Sequence, residues 1–223
     1  VHEAGCDQAV GGVEHRGRFR RLAGPDAAHE SVSDRHPAAG KFAPLGVDGG
    51  AAVAAGITEM LARHPKTYDH IFASRDWHSA DGDNGGHFAV DSPPDFIDTW
   101  PEHCVAGTDG AEYHAALDLG PTTIHVKKGR GEAAYSIFEG VTDDGSTVDE
   151  KLEQLGITDI DVVGIATDYC VLASSQDALD AGRTVRVFSD LVAGVAPETS
   201  AAALSDLADA GAIITESSTL DDE

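Results

Sequence analysis

The sequence predicts an α/β domain whose central sheet is mostly parallel and covered on both faces. Three observations carry that prediction. Short apolar runs alternate along the chain with segments whose apolar residues recur at helical spacing. The runs are continuously apolar, as in Val162-Val163-Gly164-Ile165-Ala166 after Asp161, which suits strands buried on both faces. At 223 residues the chain has the size of one domain with a full core, and no repeat or linker divides it.

Residues 1–40 fit this pattern least. They hold neither period 2 nor period 3.6, and they contain no run of four apolar residues. Arg16, Arg18, Arg20, Arg21 and Arg35 crowd into them, with His2, His15, His29 and His36. The segment reads as atypical, either disordered or mis-specified, and the domain proper as residues 41–223. From Phe42 the chain becomes regular. Asp48-Gly49-Gly50 is a turn, and a helix over 51–62 puts Val53, Ile57, Met60 and Leu61 on one face. A strand over 68–74 leads into a loop over 75–110, long enough to be read as functional. A strand over 122–127 and a helix over 147–155 that stops at Gly156 come next. The run 161–166 is a strand, and a helix beyond Cys170 stops at Gly182. A strand over 184–189, a helix over 198–210 and a strand over 212–216 complete the order.

Net charge is −24, from 39 acidic and 15 basic residues. A surface this acidic repels phosphate backbones and anionic membranes, so nucleic acid is excluded as a partner. No run of about 18 apolar residues occurs, so no membrane span is expected. No charged-then-apolar leader pattern is visible either, and a cytoplasmic protein is expected. Cys6, Cys104 and Cys170 are an odd number at unrelated spacings, which predicts no disulfide framework. No C-x-x-C pair is present to make a structural zinc site.

Three groups of residues carry candidate chemistry. Cys170 falls where a parallel strand hands over to a helix. There, unpaired N–H groups and the helix dipole favour a thiolate and can hold a developing oxyanion. An inert core cysteine is the alternative. The long loop contains Asp76-Trp77-His78, His87 and His103. Asp76 and His78 point to the same side of an extended chain, at the carboxyl edge where α/β sites form. With His87 and His103 they make a three-His, one-carboxylate set suited to one divalent ion, Fe²⁺, Mn²⁺ or Zn²⁺. Lys127 and Lys128 are cations at a strand end, and either one facing a thiolate would stabilise it.

These residues lie in motifs. Asp76-Trp77-His78, His87-Phe88 and Trp100-Pro101-Glu102-His103-Cys104-Val105 come first. Lys128-Gly129, Ala134-Tyr135-Ser136-Ile137-Phe138-Glu139-Gly140 and Gly164-Ile165-Ala166-Thr167-Asp168-Tyr169-Cys170-Val171 follow. In this order they resemble the isochorismatase-like cysteine hydrolases, and within them the nicotinamidase/pyrazinamidase branch, over about residues 42 to 216. The resemblance implies a three-layer α/β/α fold and hydrolysis of nicotinamide to nicotinate and ammonia in NAD salvage. It implies Cys170 as nucleophile, Lys128 as catalytic lysine, and Asp76, His78, His87 and His103 as metal ligands. Phe42, Trp100 and Tyr135 match aromatic walls of the pocket for a small carboxamide. The backbone N–H groups of Ala166 and Cys170 match the oxyanion hole, beside an Ile165–Ala166 peptide expected to be cis.

The chain departs from that family at one place. The family's catalytic Asp, which closes an apolar first strand, falls on Pro37, after Ser33-Asp34-Arg35-His36. The first strand is thus abnormal or missing. A shifted reading frame is one explanation, because codons for Ser-Asp-Arg-His moved by one base permit Leu-Ile-Val-Ile. Two alternatives to a nicotinamidase therefore stand: a non-catalytic metal- or nicotinamide-binding protein on the same scaffold, and a related carboxamide or N-carbamoyl hydrolase.

The charge yields a prediction. Salt shortens electrostatic reach from about 10 Å at 0.1 M to about 3 Å at 1 M. For a salt-adapted protein the thermal midpoint should climb as NaCl is raised across that range. Superimposable unfolding curves would rule out salt adaptation and leave an ordinary acidic composition.

Overall fold

The computed structural model describes residues 10–13 and 46–222. Phe42, Pro37 and the frame question at 33–36 lie outside the described residues. Seven strands form one sheet in the order β4-β3-β2-β1-β5-β6-β7. They are β1 (Val10–Val13), β2 (His70–Asp76), β3 (Thr123–Lys128), β4 (Val141–Thr142), β5 (Asp159–Ile165), β6 (Thr184–Ala193) and β7 (Ile213–Thr215). The helices are α1 (Gly50–Arg63), α2 (Val148–Leu155), α3 (Leu172–Asp180) and α4 (Pro197–Asp209).

Strands β2, β3, β5, β6 and β7 run in one direction. Strand β4 opposes β3 at one edge. Strand β1 lies in the middle of the sheet, antiparallel to both β2 and β5. The sequence reading makes the first strand abnormal or missing, and the stretch before Phe42 where it was expected lies outside the described residues; the described strand β1 falls earlier, at Val10–Val13. Its four residues, Val10-Gly11-Gly12-Val13, are too short and too poor in side chains to carry a period.

The sheet separates two apolar layers, as a three-layer fold requires. On one side Val53, Ile57 and Met60 of α1 pack with Val163, Ile165 and Phe188. On the other, Val148, Leu152, Ala178 and Leu207 from α2, α3 and α4 pack with Phe72, Val126, Val162 and Val187. Adjacent residues Val162 and Val163, or Val187 and Phe188, thus serve opposite layers, the period-2 consequence of a strand buried on both faces. Local chemistry sets the ends. Thr147 and Glu150 form a reciprocal capping box at the start of α2, and Gly156 ends it in a left-handed conformation.

The expected boundaries shift in one place that matters. Strand β2 runs to Asp76, two residues beyond the predicted end, and β3 runs to Lys128. Asp76 and Lys128 are register partners in this parallel pair, so both side chains leave the same face at the carboxyl edge.

A charged pair lies within the buried sheet. Asp161 on β5 and Arg186 on β6 are register partners joined by two hydrogen bonds, of 2.8 and 2.9 Å, and the Tyr68 hydroxyl donates to Asp161 at 2.8 Å. Removing one charge strands the other. Arg186→Met should therefore cost about 3–5 kcal/mol in urea unfolding, and the double variant with Asp161→Leu should recover part of it. Equal losses in both variants would show that the pair is not coupled.

Candidate active site

Three chain ends meet at the carboxyl edge of the sheet: Asp76 from β2, Lys128 from β3, and the turn after β5. That turn is a single π-helical turn, Thr167–Val171, and it carries Cys170 directly into α3. The Ile165–Ala166 peptide before it is cis, as the resemblance implies. Cys170, Lys128 and Asp76 are all buried. The Lys128 ammonium donates to Asp76 Oδ1 and, at 2.8 Å, to the Ala134 carbonyl, and its Nζ lies 3.8 Å from Cys170 Sγ. A buried ammonium requires such partners, and the arrangement forms a line from carboxylate through lysine to thiol.

On the other side of Asp76 stand three buried histidines, His78, His87 and His103. One ligand atom from each lies within 4.8 Å of the others. His78 Nδ1 pairs with the Gly129 carbonyl at 2.9 Å, and His103 Nδ1 with the Pro101 carbonyl at 2.7 Å. A carbonyl only accepts, so each Nδ1 is the donor in these bonds. His78 Nε2, His103 Nε2 and both nitrogens of His87 have no hydrogen-bond partner. Burial, and then the neighbouring His78, lower His87 to about 4 and His103 to about 3. The His87 and His103 rings are thus neutral near pH 7, the form that ligates metals. Orphaned, buried and converging imidazole nitrogens fit a divalent ion. Asp76 Oδ2 stands at the margin of this cluster, 3.3 Å from His78 Nε2.

The sequence around each histidine explains its place. Gly129 has φ +71, and a Cβ there would come 2.5 Å from His78 Cε1, so only glycine lets the Lys128 turn approach the ring. The long loop is ordered by backbone pairing: His78 N–H bonds to Cys104 C=O at 3.1 Å, and Trp100 N–H to His87 C=O at 2.8 Å. Asn84, buried, exchanges two hydrogen bonds with the Ser79 backbone. Arg75 and Trp77 alternate to the opposite face from Asp76 and His78. There the Arg75 guanidinium lies 4.8 Å from the Trp77 and Tyr113 ring centres, and Lys127 lies 4.9 Å over Trp77. Lys127 therefore points away from Cys170, which resolves the choice between the two lysines.

Aromatic rings wall the space above these groups. Buried Trp100 donates from Nε1 to the Tyr135 hydroxyl at 3.0 Å. Its ring meets Tyr169 edge-on at 5.2 Å, and Tyr169 lies 5.5 Å from Tyr135. Burial pushes the Tyr135 hydroxyl up to about 12, so it stays protonated. Of the expected site residues, Cys170, Lys128, Asp76, His78, His87, His103, Trp100, Tyr135 and Ala166 all gather here, and Phe42 lies outside the described residues. Sequence reasoning missed Tyr169 as a wall, although its place beside Cys170 was a signal. It also missed that Cys104 is disulfide-bonded. An odd cysteine count carries no information on which thiol stays out of a disulfide, and here Cys170 does.

The nicotinamidase/pyrazinamidase of Mycobacterium tuberculosis is 43% identical to this chain over 163 residues, spanning 73% of this chain and 84% of that protein. Among solved structures, the pyrazinamidase of Pyrococcus horikoshii in complex with zinc is 32% identical. It matches with a TM-score of 0.66 over 78% of this chain and 90% of its own. PnC1 from L. infantum in complex with nicotinate is 31% identical, with a TM-score of 0.62 over 75% of this chain and 80% of its own. Residues 42–219 match the isochorismatase domain, and the chain belongs to that family.

Proposed function

We propose that this protein is an amidase that hydrolyses nicotinamide, and carboxamides shaped like pyrazinamide, to the acid and ammonia, in NAD salvage. The observation that carries the proposal is the line Asp76–Lys128–Cys170 set directly against a cluster of three buried histidines beneath an aromatic wall. Relatives that are nicotinamidases support the amidase over a non-catalytic binding protein.

In this reading His78, His87 and His103, with Asp76 beside them, would hold a divalent ion, which when bound would supply Lewis acidity toward the heteroaromatic ring. Trp100, Tyr135 and Tyr169 clasp the ring and exclude water from the reacting carbon. The Lys128 ammonium stabilises the Cys170 thiolate electrostatically. The thiolate attacks the carboxamide carbon, and the oxyanion is held by the N–H groups of Ala166 and Cys170. The C–N bond breaks, and the proton that began on the thiol ends on the departing ammonia. Water then cleaves the thioester, its hydroxyl joining the acyl carbon and its other proton returning to Sγ.

The first test is ammonia release from nicotinamide by the full chain loaded with Mn²⁺, Fe²⁺ or Zn²⁺. Steady turnover is expected; a soluble, metal-loaded chain without turnover would favour a binding protein and point to Pro37. Cys170→Ala should reduce kcat by at least about 10³-fold with metal content unchanged, and residual activity would remove Cys170 as nucleophile. His78→Ala should lower bound metal per chain, read by elemental analysis, and raise KM. Full metal occupancy in that variant would overturn the ligand assignment.

A further inference from the structure

Asp168 stands two residues before Cys170 and takes no part in the chemistry above. Its carboxylate reaches instead to a distant part of the chain. Oδ1 accepts from Val195 N–H at 2.9 Å, and Oδ2 accepts from Ala196 N–H at 3.1 Å and from the Thr199 hydroxyl. Val195 and Ala196 lead from β6 into α4, whose N-cap is Ala196 and whose N-terminus has no side-chain cap of its own. In a capping box an acid at the third helical position binds the N-cap N–H. Here Thr199 holds that position, and the acid comes from the nucleophile turn. Gly194 makes the approach feasible, because a Cβ on it would come 2.9 Å from Asp168 Oδ1 and 1.8 Å from Ser200 Oγ.

What Asp168 holds is an uncommon piece of backbone. The π-turn closes on the Ala166 carbonyl, which accepts from Tyr169 N–H at 3.2 Å and from Val171 N–H at 3.0 Å. Single π-turns are rare and occur mostly at functional sites, where the surrounding structure holds uncommon backbone in place. An anchor within the turn, tied to two backbone amides and a hydroxyl of another element, is such a fixture. It also sets a negative charge at the positive end of α4.

We infer that Asp168 is a positioning residue for the nucleophile: by clamping the π-turn to the start of α4 it fixes Cys170 Sγ beside Lys128. The inference rests on Cys170 as nucleophile. It assigns to the segment 194–199, far from Cys170 in sequence, a share in setting the site.

The test uses the full, metal-loaded chain with Asp168→Asn, Asp168→Ala and Thr199→Val. Three quantities are read: kcat and KM for nicotinamide, the rate of Cys170 alkylation by iodoacetamide followed by mass spectrometry, and the thermal midpoint. Asp168→Ala should lower kcat by about 10²-fold, the scale expected for roughly 1 Å of misplacement. KM should rise by a smaller factor than kcat falls, because Trp100 and Tyr135 lie outside the π-turn and Tyr169 alone of the ring-binding groups lies within it. The alkylation rate should change with kcat. Asp168→Asn, which keeps the shape and one carbonyl acceptor, should rescue part of the loss and decides the matter if the Ala variant does not fold. Thr199→Val removes one of the three bonds and should keep kcat within about threefold of the parent even as its midpoint falls. Folded Asp168 variants with parental kcat and alkylation rate would overturn the inference, as would losses that track the thermal midpoint equally in Thr199→Val. Alkylation needs no turnover, so it reads the clamp even if Cys170→Ala shows that the nucleophile is misassigned.

Discussion

The structure depends on how it accommodates one buried cation. Lys128 is 1% exposed, in a chain whose formal charge is −24, and its ammonium is held by Asp76, the Ala134 carbonyl and the Cys170 sulfur. An unpaired ammonium at that depth would be heavily penalised, so these partners have to be brought to it by the fold. The parallel register of β2 and β3 brings Asp76, the glycine after Lys128 lets the chain turn toward Ala134, and the π-turn beyond β5 brings the thiol. The carboxyl edge of the sheet is therefore a site because three strands end there together, which is the general location of ligands in open α/β sheets.

Much of this was legible in the sequence because it is written in short, local signals. Asp76 and His78 share a side by strand alternation, Cys170 lies at a strand-to-helix junction, and Gly156 and Gly182 stop helices where they should. His87 and His103 were legible only through the motif order, since their convergence depends on pairings such as Trp100 with His87 that no periodicity announces. Asp168 was illegible for a similar reason. Its partners are backbone amides 27 and 28 residues away, and an amide has no letter in the sequence.

The opposite difficulty attends the first 45 residues. Their sequence has no strand period, yet the central slot between β2 and β5 must be filled, because two buried strand edges would otherwise leave rows of unpaired N–H and C=O groups. Val10–Val13 pairs with both neighbours there, in a direction that opposes theirs. Four residues, two of them glycines, offer too few side chains for a strand period to show in the sequence.

Asp76 shows why a carboxylate, and not an amide of the same shape, belongs between the two halves of the site. One oxygen faces the Lys128 ammonium and the other lies 3.3 Å from His78 Nε2, at the margin of the imidazole cluster. A positive charge in that cluster is disfavoured by Lys128, which lowers His87, and favoured by Asp76, which raises it. A divalent cation there would feel the same two fields with doubled weight. The single negative charge between them offsets the repulsion from both sides, which lets a lysine that stabilises a thiolate and a cluster that binds a cation share one buried space. An amide would leave the hydrogen-bond geometry nearly intact and remove that compensation. The charge of Asp76, more than its shape, joins the two halves.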